Sequence, residues 1–187
     1  MQDEAPELRQ VAGRLGPALF RRRLHRQANL LASLVHQGEG PLVVERLVPV
    51  DHLIEYGLAL VGLRKRGRNN CLDVRIVTRE QPLPGLPAAF DGFRLLQLSD
   101  LHLDLIPGFA DVVIDRIRRT PHDLAVVTGD FADHPAGYFH DCLDDIRRIA
   151  RELGPGALAI LGNHDIIEIV PHLEQAGLRV LLNENTF

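Results

Sequence analysis

The sequence predicts an α/β protein with a parallel sheet over residues 73–187, preceded by a helical extension over residues 1–72. Two observations carry this expectation. Three short apolar runs alternate with stretches of helical periodicity, as buried parallel strands and their crossover helices do. Each run also ends on a small polar cluster, and in open α/β sheets ligands bind at the carboxyl ends of the strands. We therefore expect a functional site along one edge of this sheet.

The bulk composition is that of an ordinary soluble globular protein, with 45% hydrophobic and 25% charged residues. A net charge of −4 argues against a nucleic-acid-binding protein, which would usually be basic. The two cysteines form no disulfide framework, and the N-terminus carries no apolar signal-peptide core. The most apolar long window, residues 42–63, contains too many charged residues to span a membrane. We expect a cytoplasmic location, with peripheral membrane contact as an open alternative.

The N-terminal extension begins with an amphipathic helix. Apolar residues recur at three- and four-residue steps over residues 8–35, with a break expected near Gly16-Pro17. The apolar stripe includes Leu19, Leu24 and Ala28. Two interpretations remain open: the helix packs on the rest of the chain or on a partner, or its basic face lies on an anionic membrane surface. That polar face carries Arg9, Arg14, Arg21, Arg22, Arg23 and Arg26.

The remaining elements follow from periodicity and from turn residues. A helix over 42–63 precedes a basic, turn-rich link over 64–70, a half-exposed strand over 72–78 and a proline-rich connector over 81–87. The order beyond that point is strand, helix, strand, helix, strand, helix, strand, which predicts a parallel sheet with right-handed crossovers. The expected strands are 93–98, 124–127, 157–161 and 178–182, and the expected helices lie near 109–117, 139–153 and Leu173.

The polar clusters after the first three strands bring together the residue types of a metal site. Asp100 and His102 follow the first strand and offer an oxygen and an imidazole to one cation. Asp130 follows the second strand, and its two carboxylate oxygens could bridge two cations. Asn163 follows the third strand and adds a neutral oxygen ligand. The sequence therefore predicts a site that could hold two metal ions.

Two metal ions about 4 Å apart would clamp a phosphate and lower the pKa of a bound water that attacks phosphorus in line. His164 would then protonate the leaving oxygen, with Asp165 orienting its ring. Each cluster alone is a weak signal, since such residues also cap helices and form turns. A nucleotide-binding protein of the Rossmann type is disfavoured, because no Gly-x-Gly-x-x-Gly follows a strand.

The three clusters together resemble the first three motifs of the calcineurin-like metallophosphoesterase family. The motifs are Asp100-Leu101-His102, Gly129-Asp130-Phe131-Ala132-Asp133 and Gly162-Asn163-His164-Asp165. The resemblance implies an αββα sandwich and a binuclear centre of divalent Mn, Fe or Zn. It also implies that Asp100 and His102 bind one metal, Asp130 bridges, Asn163 binds the second, and His164 is catalytic beside Asp165. Asp133 is expected to orient a ligand or to have a structural role rather than to bind metal itself.

The family completes its site with further histidines, one alone and then a Gly-His-x-His turn, which this chain lacks. His172 follows Asn163 too closely to replace them and is interpreted as a surface residue. The domain is therefore expected to be truncated, with an exposed sheet face, weak metal binding and poor turnover. The alternative function is a catalytically inactive remnant that binds a partner or a membrane surface.

The proline-rich connector adds an indication about the substrate. Together with Ser99-Asp100-Leu101-His102-Leu103, it is similar to a subgroup of these enzymes with membrane-proximal N-terminal segments. Some members of that subgroup act on phosphate-linked lipid precursors. By analogy alone, the resemblance makes a lipid-linked phosphoester a candidate substrate.

Overall fold

A computed structural model describes residues 6–36, 57–60, 62–133 and 138–185 of the chain. Most of the helix expected over 42–63 lies outside these residues, as does His134 in the loop after the second strand. No helix in the described ranges is long and apolar enough to cross a membrane.

The centre of the fold is a four-stranded parallel sheet whose strands follow one another in chain order. In register, Leu95 lies opposite Leu124, Val126 opposite Leu158, and Leu158 opposite Arg179. This confirms the predicted parallel α/β architecture. The strands are β1 (Leu95–Leu98), β2 (Leu124–Val127), β3 (Leu158–Ala159) and β4 (Arg179–Val180).

The two faces of the sheet are in different environments. Side chains alternate between faces along a strand, and one set, including Ala125, Val127, Ala159 and Val180, is completely buried. These residues share one core with the apolar faces of the later helices. On the other face, Leu95 is 57% exposed, and among the described residues no second sheet covers it. The helices that join the strands are α4 (Phe109–Arg118), α5 (Leu143–Leu153) and α6 (Val170–Gln175).

The N-terminal helices pack onto this domain. They are α1 (Pro6–Leu15) and α2 (Pro17–His36), and they meet at Gly16, whose φ of +77° suits glycine. Val11 and Phe20 are buried in the common core. The predicted break is confirmed, and Val11 and Leu24 of the predicted stripe lie in or against the core. Leu19 and Ala28 depart from the prediction, because Leu19 is 42% exposed and Ala28 is also exposed.

Two predicted segments differ in the structure. The basic link is instead a helix, α3 (Arg64–Leu72), and its Arg68 guanidinium donates to the Pro107 carbonyl. Arginine, lysine and asparagine do not by themselves break a helix, and the segment has no proline. The strand expected over 72–78 does not form. The Val74 carbonyl accepts a hydrogen bond from Arg116 Nε on α4, and Val77 is 73% exposed.

Candidate metal centre

The loop after β1 runs along the loop after β2, and backbone hydrogen bonds fix the two together. Asp100 N–H donates to the Gly129 carbonyl (3.1 Å) and His102 N–H to the Asp130 carbonyl (3.0 Å). Asp100, His102 and Asp130 all have positive φ, at 54°, 40° and 55°. Such backbone is uncommon in residues other than glycine and concentrates at functional sites. Three of the four predicted metal ligands therefore have strained backbone in the loops that follow β1 and β2.

The loop after β3 approaches the loop after β2 so closely that only glycine fits at the crossing. A Cβ atom on Gly129 would lie 2.1 Å from Gly162 N, and one on Gly162 would lie 2.2 Å from Asp130 Oδ1. These distances are far below any real Cβ contact. The two glycines thus allow the second and third loops to meet at Asp130.

Asp165 joins these two loops from the inside. Its side chain is 4% exposed and accepts backbone hydrogen bonds from Asp130 (2.7 Å), Phe131 (2.9 Å) and Gly162 (2.8 Å). Burial raises the pKa of this carboxyl, and the three amide hydrogen bonds act in the opposite direction. Asp165 is predicted to orient the His164 ring, and this role stays a prediction. Its carboxylate oxygens are bonded to backbone amides.

His164 takes its orientation from the second loop. Its N–H donates to Asp130 Oδ1 (2.8 Å), and its Nδ1 lies 2.9 Å from the Asp133 carbonyl oxygen. A carbonyl can only accept, so Nδ1 carries the proton and Nε2 is left for another partner. The hydrogen bond to Asp133 raises the pKa of His164, and nearby carboxylates, including Asp130, add to this effect. A raised pKa suits a histidine that donates a proton.

Two groups of possible metal ligands share His102. One ligand atom each from Asp100, His102 and Asp130 lies within 4.8 Å of the others, and the same holds for His102, Asp133 and His164. Among the described residues, Nδ1 of His102 is buried without a hydrogen-bond partner, 3.3 Å from Asp133 Oδ1. A buried imidazole nitrogen next to carboxylates fits a divalent cation, which accepts such oxygen and nitrogen donors.

Asp133 makes more contacts within the candidate site than its position in the sequence indicates. Its Oδ1 lies near Nδ1 of both His102 (3.3 Å) and His164 (3.6 Å), and its N–H donates to Asp104 Oδ1 (2.8 Å). The position of Asp133, three residues after Asp130, was the available signal. Nothing in the pattern around Asp104 marked it, because its partner lies 29 residues away.

Two further predictions concern Asn163 as a metal ligand and His172 as a surface residue. Asn163 is exposed beside His164, and its task as second-metal ligand stays a prediction. His172 is partly buried rather than a surface residue, because its ring packs 5.4 Å from that of Phe139 and 5.6 Å from that of His140.

Comparison with known proteins agrees with this geometry. The model of the calcineurin-like phosphoesterase family matches residues 93–186, which include all three loops. No solved structure gives a significant match.

Three curated relatives are similar to parts of the chain. Metallophosphoesterase YkuE of Bacillus subtilis is 39% identical over 43% of this chain and 29% of its own length. YkoQ, a metallophosphoesterase of the same organism, is 29% identical over 68% of this chain and 50% of its own. A zebrafish protein named transmembrane protein with metallophosphoesterase domain is 27% identical over 81% of this chain and 31% of its own. The chain thus spans half or less of the length of each relative.

Proposed function

Because this chain belongs to the calcineurin-like phosphoesterase family, we propose that its three loops form the first part of a binuclear, metal-dependent phosphoester hydrolase site. The observation that carries the proposal concerns His102, which is shared by two groups of possible ligands. Its Nδ1 is buried and has no hydrogen-bond partner in the part of the chain that the structure describes. An imidazole in that position is costly unless a cation or a donor satisfies it. Metal binding would satisfy it.

The proposed ligands follow the chemistry of the side chains. Asp100, His102 and Asp130 would hold one ion, and Asp130 with Asn163 would hold a second. Divalent Mn, Fe or Zn suits such carboxylate and imidazole donors. When bound, such ions polarise phosphoryl oxygens and lower the pKa of water to near neutrality.

The residues of this chain would supply orientation and a proton. His164, with Nδ1–H held by the Asp133 carbonyl, would donate to the leaving oxygen of the substrate. Asp130 would fix the backbone of His164 while it binds metal, since its Oδ1 accepts the His164 N–H. Asp165 would keep the second and third loops in register through its three amide hydrogen bonds.

We further propose that the complete site takes histidine ligands from a segment beyond these three loops. Two observations support this: the open apolar face of the sheet at Leu95, and relatives at least twice as long as the part matched here. The activity of the present chain is therefore expected to be low. A lipid-linked phosphoester stays the candidate substrate and is to be compared with soluble mono- and diesters.

The substitution Asp130→Asn tests the hydrolase proposal. Asparagine keeps an oxygen that can accept the His164 N–H but removes the charge that a metal ion needs. Hydrolysis of p-nitrophenyl phosphate esters with Mn²⁺ should fall by about 100-fold or more, since loss of even an outer partner costs about 10- to 100-fold. Circular dichroism should show the same fold.

Asp144→Asn is the matched control, because Asp144 is 91% exposed on α5 and pairs across the helix surface with Arg147. Its hydrolysis rate should equal that of the wild type. Equal rates in Asp130→Asn and Asp144→Asn would refute the hydrolase proposal.

A membrane-binding module is the second candidate, and the outer face of α2 favours it. Arg22 and Arg26 are exposed there, one turn apart. If this face contacts anionic lipid, the chain should float with phosphatidylserine vesicles and not with phosphatidylcholine vesicles, because each basic residue near such a surface adds about 1 kcal/mol. The double substitution of Arg22 and Arg26 by Ala should abolish flotation. Equal flotation with both vesicle types would exclude this candidate.

A further inference from the structure

Arg23 of α2 contacts the third loop of the site directly. Its Nη2 donates to the Gly162 carbonyl (3.0 Å) and to the Asp165 carbonyl (2.7 Å). These carbonyls stand at the two ends of the turn that presents Asn163 and His164. A single guanidinium nitrogen therefore holds both ends of the turn, through hydrogen bonds that its charge strengthens.

Gln27 extends this contact by one helical turn. Its Oε1 accepts the Ile167 N–H (3.0 Å), and its Nε2 donates to Glu168 Oε2 (2.6 Å). Residues four apart lie on one face of a helix, so Arg23 and Gln27 face the domain together. Phe20, 6% exposed, anchors the same face in the core. The polar part of this face thus follows the backbone of residues 162–168.

The contacts of Arg23 differ in place from those of Arg14, an arginine of α1 that also contacts the domain. Arg14 pairs with the carboxylates of Glu174 and Glu184 and donates to the Val180 carbonyl on β4, all away from the three loops of the site. Arg23 bonds to main-chain carbonyls on either side of a predicted ligand and a predicted proton donor. Loss of the Arg23 side chain would therefore change the positions of Asn163 and His164.

We propose that Arg23 is a positioning residue of the phosphoesterase site, and that α2 holds the third loop against the first two. His164 N–H lies 2.8 Å from Asp130 Oδ1 and His164 Nδ1 lies 2.9 Å from the Asp133 carbonyl, and both contacts depend on where the loop sits. Without Arg23, the Asp165 carboxylate still ties the loop from the inside. The loop would stay folded and lose its exact placement. The consequence for hydrolysis rests on the proposed function.

The experiment compares Arg23→Ala, Arg23→Lys and Arg21→Ala with the wild type, all in the full chain. Arg21 is an exposed arginine of the same helix and serves as the charge-matched control. With Mn²⁺ and a p-nitrophenyl phosphodiester, Arg23→Ala should lower kcat by about 10- to 100-fold, the usual cost of losing an outer partner. KM should change little, since the effect acts through His164. Lysine, which keeps a charged donor, should restore part of the rate, and Arg21→Ala should match the wild type.

Hydrogen exchange gives a second readout that needs no activity. Arg23→Ala should speed exchange in the peptide covering 162–168 and leave α4 and α5 as protected as in the wild type. Faster exchange throughout the domain would make Arg23 a packing residue only and overturn the proposal. The proposal would also be overturned if Arg23→Ala had the same hydrogen exchange and the same kcat as Arg21→Ala. If the wild type hydrolyses nothing, the proposed function fails, and the exchange comparison alone decides on Arg23.

Discussion

At the scale of single residues, the site depends on backbone conformations that side-chain patterns do not reveal. Asp100, His102 and Asp130 are found with positive φ, which costs about 1–2 kcal/mol per residue relative to ordinary backbone. Asp165 offsets part of this cost by accepting three backbone N–H groups at the meeting of two loops. The sequence placed these residues correctly at strand ends. It could not show that Asp165 binds amides, because the partners Asp130 and Phe131 lie 35 and 34 residues away.

Gly129→Ala tests the close approach of the second and third loops. Gly129 and Gly177 have nearly the same φ, +97° and +100°, but only Gly129 faces another backbone. Gly177→Ala should therefore cost about 1–2 kcal/mol of unfolding free energy, from backbone strain alone. Gly129→Ala should cost a further 1–3 kcal/mol or so from overpacking. Urea denaturation measures both, and equal losses would mean that the loops do not meet as described.

At the scale of elements, periodicity predicted the helices and strands after residue 93 well, and it missed the helix over Arg64–Leu72 and the inward-facing polar residues of α2. The strands after residue 93 and the break at Gly16 are present as expected. The predicted stripe counted Arg23 among outward polar residues, whereas it faces the domain with Phe20 and Gln27. Both polar side chains are bonded to groups 139 to 142 residues away. A pattern that counts only apolar residues cannot identify a face whose contacts are partly polar.

Phe20→Ala tests whether α2 is an integral part of the domain. Phe20 is 6% exposed, and truncating a buried phenylalanine costs about 3–5 kcal/mol. Leu19→Ala removes a neighbouring side chain that is 42% exposed and should change stability by about 0.5 kcal/mol or less. Thermal and urea unfolding monitored by circular dichroism give both values. Similar small losses in the two variants would indicate that α2 is not docked.

At the scale of the whole molecule, the described residues form one core with one uncovered sheet face. The division of the chain at residue 72 remains a prediction, and α1 and α2 share the core of the domain that follows. The exposed face was expected from the resemblance, because the matching motifs belong to only one half of the family's sandwich. Leu95 and Ile160, at 57% and 42% exposure, are accessible apolar residues of that face.

Leu95→Lys tests the consequence of this open face for solubility. Uncovered apolar sheet surface promotes association between molecules, so the chain produced alone should self-associate at micromolar concentration. A lysine on β1 should reduce this association. Leu83→Lys adds the same charge at a site that is 56% exposed in the connector, and it should have little effect. Sedimentation velocity distinguishes the two, and equal behaviour would place the association surface elsewhere.

The contacts of Arg14 and Gln27 with the far end of the chain also bear on how the protein is made. Arg14 meets Glu174 across 160 residues, and Gln27 meets Glu168 across 141. A ribosome releases α1 and α2 long before it has synthesised β4, at about 5–20 residues per second. For those seconds the helix that later holds the third loop has nothing to dock on. Assembly of the site is therefore a late event of biosynthesis, and a nascent chain stalled before residue 160 would hold its first two loops without the part that brings His164 to them.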